Sequence, residues 1–166
     1  MNWFTADQHF NHANVIEFCK RPFDNVDQMN RAMIEKWNGR VRTIDTVFVV
    51  GDFKFGANGS TFHELNLALN GNKVFVQGNH DKNNGVNTGI KTVHLHTFGM
   101  DILLTHRVVD AYKIIEGYDL ALVGHCHTEW KFRKNVVNVG VDVWDFFPVH
   151  MKQILKAYKT WEKGGG

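Results

Sequence analysis

The feature that most limits how this chain can fold is a repeated pairing: a short apolar run followed at once by a polar, chemistry-bearing residue. It occurs five times, at Asp7-Gln8-His9, Gly51-Asp52, Gly78-Asn79-His80-Asp81, Thr105-His106 and Gly124-His125-Cys126-His127. The preceding runs, Trp3 to Ala6, Thr46 to Val50, Val74 to Gln77, Ile102 to Leu104 and Leu120 to Val123, have the length and composition of buried strands. Strands that leave a shared sheet edge bring their next residues into one crevice, where open α/β sheets bind ligands. The five endings carry three carboxylates, five imidazoles and, besides Gln8, one carboxamide, Asn79. Desolvating that many polar groups together is costly unless something cationic sits among them. A pair of divalent metal ions meets the requirement.

The remaining sequence sets bounds on this arrangement. Apolar residues make up 43% of the 166, enough for a core without disulfides, so one domain over 1–163 is expected, with Gly164 to Gly166 as a flexible tail. Cys19 and Cys126 form no CxxC pair, which argues against a disulfide framework or a zinc ribbon and favours a reducing cytoplasm. No apolar run approaches a membrane span, and the chain starts on strand-like Trp3-Phe4 without a basic leader, so neither anchoring nor export is expected. A net charge of +2 with dispersed lysines and arginines lacks the footprint of a dedicated nucleic-acid binder, although nucleic acid stays open as a substrate.

Element order then gives the fold class. Asn11 is expected to cap a helix ending near Cys19, and Asp27 a second one that stops at Asn38-Gly39. A third helix begins near Ser60 or Thr61. Strand, helices, strand, helix, strand implies right-handed crossovers and a parallel sheet. The second half changes character: Thr92 to Phe98 and Met100 to Thr105 flank Gly99, Leu120 to Val123 follows, and Trp130 to Phe132 and Val136 to Val143 join at Lys134-Asn135 as a second sheet. His150 to Lys163 closes as an amphipathic helix with Met151, Ile154, Leu155, Tyr158 and Trp161 on one side.

Aspartate, histidine and asparagine donors suit manganese, iron or zinc better than calcium or magnesium. Two such ions about 3.5 to 4 Å apart clamp a phosphate and lower the pKa of a shared water, so hydroxide can attack phosphorus in line near neutral pH. The Asp-x-His, Gly-Asp, Gly-Asn-His-Asp, lone His and Gly-His-x-His motifs, in that order, resemble the calcineurin-like metallophosphoesterase family. The likeness is to its small, capless, single-domain bacterial and phage members; Arg21-Pro22-Phe23 and Asn138 to Trp144 are in keeping with them, and it extends from about Met1 to Ile154. The resemblance implies a four-layer α-β-β-α sandwich of two mixed sheets flanked by helices. It also implies that Asp7, His9, Asp52 and His127 hold one ion and Asp52, Asn79, His106 and His125 the other, with manganese favoured. His80 would be the catalytic histidine and Asp81 its orienting partner.

Substrate contacts are expected from Asn79, and from His12, Arg21 and Arg107 as weaker candidates, since each of these three has an ordinary alternative: an exposed first-turn histidine for His12, and a surface ion pair for either arginine. His94 and His96 repeat a His-x-His spacing but alternate with Val93 and Leu95, which marks a solvent-facing pair. Phe55 and Gly56 stand where relatives often carry Asp and Arg, which weakens the grip on a dianionic monoester and tilts the expectation toward a small or terminal phosphodiester, nucleotide-derived or cyclic. The alternatives are a phosphomonoesterase or protein phosphatase, a nuclease, and a catalytically impaired binding scaffold; neither a membrane nor a stable nucleic-acid complex is expected as a partner.

Overall fold

The computed structural model describes residues 1–56 and 58–164; of the expected tail, Gly165 and Gly166 lie outside the described residues. The elements in chain order are β1 (Asn2–Thr5), α1 (Ala13–Phe18), α2 (Val26–Asn38), β2 (Thr46–Val50), α3 (Phe62–Ala68), β3 (Asn72–Val76), β4 (Thr92–Thr97), β5 (Met100–Thr105), α4 (Val108–Ile114), β6 (Leu120–Val123), β7 (Phe132–Arg133), β8 (Val136–Asn138), β9 (Val149–His150) and α5 (Met151–Lys163). Short 3₁₀ turns cover Asp81–Asn84 and Val141–Val143.

Two mixed sheets form. The first has the order β3-β2-β1-β9, with β1, β2 and β3 parallel and β9 antiparallel to β1; the second has the order β4-β5-β6-β8-β7, with β5, β6 and β8 parallel. Strict alternation explains why the strands read as continuous apolar runs. Trp3, Val47 and Val49 turn outward onto Met29, Met33 and Trp37 of α2 and Leu65 of α3, whereas Phe4, Phe48 and Val50 turn inward to meet Ile102, Leu104, Leu120 and Leu122 of the second sheet. On that sheet's far side Leu103, Ala121 and Val123 pack with Ala111 of α4. Burial on both faces is what a sheet between two layers requires, and the result is the four-layer sandwich implied by the resemblance. Each large inward side chain contributes roughly 1.5–3 kcal/mol of burial. Phe4 and Phe48 stack at 5.6 Å between the sheets.

Several local expectations need correction. Asn25, not Asp27, caps α2, accepting from the Gln28 N–H, and Asp27 sits in the first turn. Asn11 does not cap α1; it adopts a left-handed φ of 69° and bonds Asn30 and the Ser60 carbonyl, leaving His12 at the cap position. The strand expected over Val136 to Val143 stops at Asn138, because the Asn138 side chain accepts from the Gly140 N–H and donates to the His127 and Trp130 carbonyls, turning the chain into the 3₁₀ segment. Helix α5 is amphipathic as its spacing implies, with Met151 and Ile154 entering the core between the sheets. His94 and His96 are exposed, as their alternation implies. No helix among the described residues is long and apolar enough to cross a membrane.

Candidate metal centre

Parallel pairing of β1, β2 and β3 puts their C-terminal ends on one edge, and parallel β5 and β6 do the same for the second sheet. The two edges meet. The His106 ring, one residue past β5, bonds the Val50 carbonyl at the end of β2 through Nδ1 (2.9 Å), and the His125 N–H donates to both oxygens of Asp7 at 3.0 and 2.9 Å. Asp7, His9, Asp52, His125 and His127 all have positive φ, between 43° and 71°, a region where Asp and His are tolerated better than most residues. Gly51 and Gly78 make the approach feasible: a Cβ on Gly51, itself at φ 88°, would run into the His106 ring, and one on Gly78 into the Asp52 carboxylate.

The structure gathers the seven expected ligands into adjoining groups. Ligand atoms of Asp7, His9 and His127 lie within 4.8 Å of one another, and so do those of Asp52, His106 and His125. Asp52 Oδ2 stands between them, 3.7 Å from His9 Nε2 and 3.3 Å from His106 Nε2. Asn79 Oδ1 is 3.0 Å from the same His106 nitrogen. His9 is 2% exposed and neither ring nitrogen has a hydrogen-bond partner among the described residues, an arrangement that disfavours a bare imidazole and suits a cation-binding one. The donor set therefore fits divalent metal.

The charges are strongly coupled. Burial pushes the Asp7 carboxyl up to about 6, against the opposing pull of His106 and His127. Burial drives His9 down to about 3. His106 is disfavoured as a cation by its burial, yet the Asp52 hydrogen bond and the charges of Asp7 and Asp52 raise it to about 9. Burial likewise opposes the charge on His127, which its Asp142 hydrogen bond raises to about 10. Burial works against ionised Asp52, but His106 and the His80 N–H hold it below the usual carboxylate range.

Two expected site residues have other employment. Arg21 is no surface contact: its guanidinium is buried, pairs with Asp142 at 2.7 and 3.0 Å, and donates to the Asp7 and Gln8 carbonyls. Asp81 does not orient His80, because its oxygens accept from the Asp52, Phe53 and Gly78 N–H groups and tie β2 to the turn after β3. His80 is exposed, its ring 5.7 Å from that of His9, with its own N–H donating to Asp52 Oδ1. His12 stacks on Phe55 at 3.9 Å beside His9, and its buried Nδ1 has no hydrogen-bond partner among the described residues.

Asp142 is the residue that sequence reasoning missed. Its Oδ2 lies 2.9 Å from His127 Nδ1, so it fixes the ring and leaves Nε2 as the remaining donor, while the same carboxylate neutralises Arg21. Carboxylate partners of this kind orient metal-binding imidazoles and raise their basicity. The only sequence signal was its position in the Asn138 to Trp144 segment.

No protein-family model matches the chain. It is 36% identical over 171 residues to the uncharacterized protein MJ1445 of Methanocaldococcus jannaschii, covering 98% of this chain and 92% of that one. Over 48% of its length it is 31% identical to the Gene 66 protein of Mycobacterium phage L5, of which 39% is covered. Among solved structures, the protein of unknown function AQ665 from Aquifex aeolicus shares the fold with a TM-score of 0.74 at 24% identity, covering 95% of this chain and 98% of that one. A single mutant of Vps29 from Entamoeba histolytica gives a TM-score of 0.50 at 18% identity, with 82% and 72% covered.

Replacing Asp142 by Asn removes the counter-charge of buried Arg21 and the anchor of His127. It should cost about 3 kcal/mol in chemical denaturation and weaken metal binding roughly tenfold or more; unchanged values of both would show that Asp142 is incidental. Because His106 and His127 are raised in the metal-free protein, protons compete with metal near neutrality. Affinity for manganese measured by titration calorimetry should therefore rise between about pH 6 and 9, with proton release on binding, and a flat profile would contradict the assigned charges.

Proposed function

The chain belongs to the family of the uncharacterized protein MJ1445 of Methanocaldococcus jannaschii, and from its metallophosphoesterase fold and paired ligand groups we propose that it is a metal-dependent phosphoric ester hydrolase of the small, capless type. The favoured substrates are small or terminal phosphodiesters, cyclic and nucleotide-derived esters among them. The observation that carries this reading is the adjacency of two three-residue ligand groups with Asp52 within reach of both. Asp7, His9, Asp52 and His127 would hold one divalent ion, and Asp52, Asn79, His106 and His125 the other, manganese being favoured over iron or zinc. Two such ions supply Lewis-acid stabilisation of phosphate charge and a water of lowered pKa.

The remaining chemistry belongs to the chain. Asp52 positions His80 through the His80 N–H, and the Asn84 side chain fixes the His80 carbonyl, so the imidazole projects from a main chain held at two points. From there it can donate to a phosphate oxygen or pass a proton to the departing alkoxide. Val50 and Asp142 hold Nδ1 of His106 and His127, presenting Nε2 in each case. Cys126 is no competing nucleophile: burial, followed by the charge of Asp7, pushes its thiol up to about 12.

Preference for diesters is supported by what surrounds the site. Phe55 packs its ring on His12, Gly56 has no side chain, and Arg21 spends its guanidinium on Asp142 and two main-chain carbonyls. None of them is free to grip the second charge of a monoester. A binding scaffold on the same fold is less well supported, since all seven ligands and His80 are present together.

With manganese, the protein should turn over a chromogenic phosphodiester faster than the matching monoester; faster monoester turnover would move the assignment to a phosphomonoesterase, and no metal-dependent turnover of either would remove the enzyme reading. Substituting His80→Ala should lower kcat roughly a hundredfold or more while metal content by elemental analysis stays as in the wild type. Full activity in that variant would exclude His80 from the chemistry.

A further inference from the structure

A cleft of about 580 Å³ opens directly beside the proposed metal centre, sharing Asn79 and His106 with it. Four cationic side chains line this cleft, Lys82, Lys91, Arg107 and Lys113, against one carboxylate, Asp110. Lys113 pairs with Asp110 at 3.1 Å. Lys82, Lys91 and Arg107 are exposed and have no carboxylate partner among the described residues. The whole chain carries a formal net charge of only +2, so the positive charge at this concavity is locally concentrated. A solvated face spreads its cations among counter-charges; here three unpaired ones surround a space of ligand size.

The cations come from three different segments. Lys82 lies on the 3₁₀ turn two residues after His80, Lys91 precedes β4, and Arg107 directly follows the proposed ligand His106. The same short connections that deliver Asn79, His80 and His106 to the centre therefore deliver positive charge to its flank. A diester with a single phosphate would spend its one negative charge at the metal centre and leave the cleft's cations unused. A second phosphoryl group a few bonds away would engage them.

We propose that this cleft is a second phosphate subsite, and that the substrate class is a phosphodiester carrying at least one further phosphoryl group. The inference rests on the phosphoesterase reading of the adjoining centre. The extra group can come from a neighbouring nucleotide in a short oligonucleotide or from a polyphosphate chain, and both present the same oxyanions to lysine and arginine.

The test compares matched pairs with manganese-loaded protein: a thymidine dinucleotide with and without a terminal phosphate, and the p-nitrophenyl diesters of thymidine monophosphate and triphosphate. In at least one pair the more phosphorylated member should have a kcat/KM about tenfold higher, and the pair that shows it identifies the source. The Lys82→Ala/Lys91→Ala variant should reduce that preference to about twofold or less, whereas Lys156→Ala/Lys159→Ala on α5, which removes the same charge elsewhere, should retain it. Binding of the dinucleotides to metal-free protein by calorimetry gives a readout independent of turnover. Turnover without a preference in either pair, or a preference equally lost in both double variants, overturns the subsite and leaves the hydrolase reading standing. Tighter phosphate-dependent binding that needs Lys82 and Lys91, with no turnover of any ester, supports the subsite and removes the hydrolase reading.

Discussion

Everything at the meeting edge of the two sheets depends on buried carboxylates. Asp7, Asp52 and Asp81 are each at most 2% exposed; all three are spent on main-chain amides, and Asp7 and Asp52 also face imidazoles. Asp7 receives the His125 N–H from the opposite sheet, Asp52 receives the His80 N–H, and Asp81 receives three amides from the ends of β2 and β3. Charge-assisted bonds of this kind are stronger than neutral ones. Asp7 and Asp52 thus both order loops that carry imidazoles and favour the charge on His106, whereas Asp81 acts on the main chain alone.

This explains how the chain tolerates its backbone geometry. Five proposed ligands sit in the left-handed region, at a cost of order 1 kcal/mol or more for an L-residue. Such strain persists only where the surroundings over-determine it, and here they do: Gly124 and Gly140 have no Cβ that would approach within 2.8 Å of Asp7 Oδ2, and the Asp7, His9 and Phe10 amides bond carbonyls of the β2 extension at 3.0 to 3.1 Å. Arg21 completes the constraint by holding the Asp7 and Gln8 carbonyls from beneath. Its pairing with Asp142 links that support to His127, so the first strand's exit and the last imidazole respond to one buried ion pair.

The sheet elements and the polar residues at their ends were legible because both follow from local pattern, whereas the meeting of two sheets at one centre was implied only by the resemblance. A run such as Val47-Phe48-Val49-Val50 buries alternate residues on opposite faces, and the residue after it must emerge at the edge. What stayed hidden depends on partners distant in sequence. Arg21 and Asp142 are 121 positions apart, and nothing local separates a buried guanidinium from a surface one. Asp81 sits next to His80 in sequence yet faces the amides of β2, because the 3₁₀ turn begins at that residue and sends the two side chains to different neighbours. The cap of α2 was misplaced by two residues since Asn25 and Asp27 are both competent, and only the bond from Gln28 decides between them.

The sequestration of Arg21 also bears on how charge is distributed around the centre. Phosphate recognition by arginine depends on a planar fork free to approach the oxyanion, and a fork with its donors committed to Asp142 and two carbonyls cannot do so without breaking the support of the first strand. Under the proposed reading, compensating positive charge would come from side chains that carry no structural load, and those lie on the rim: Lys82, Lys91 and Arg107. Exposed cations such as these act through longer and more strongly screened interactions than a buried arginine. Their contribution is therefore expected to grow with the number of anionic groups on a ligand, while the immediate flank of His80, where Phe55 packs on His12, offers an aromatic surface instead of a charge. Under the proposed phosphoesterase reading, a centre so arranged would discriminate less by gripping the phosphate under attack than by what the rest of the molecule brings to its two unlike sides.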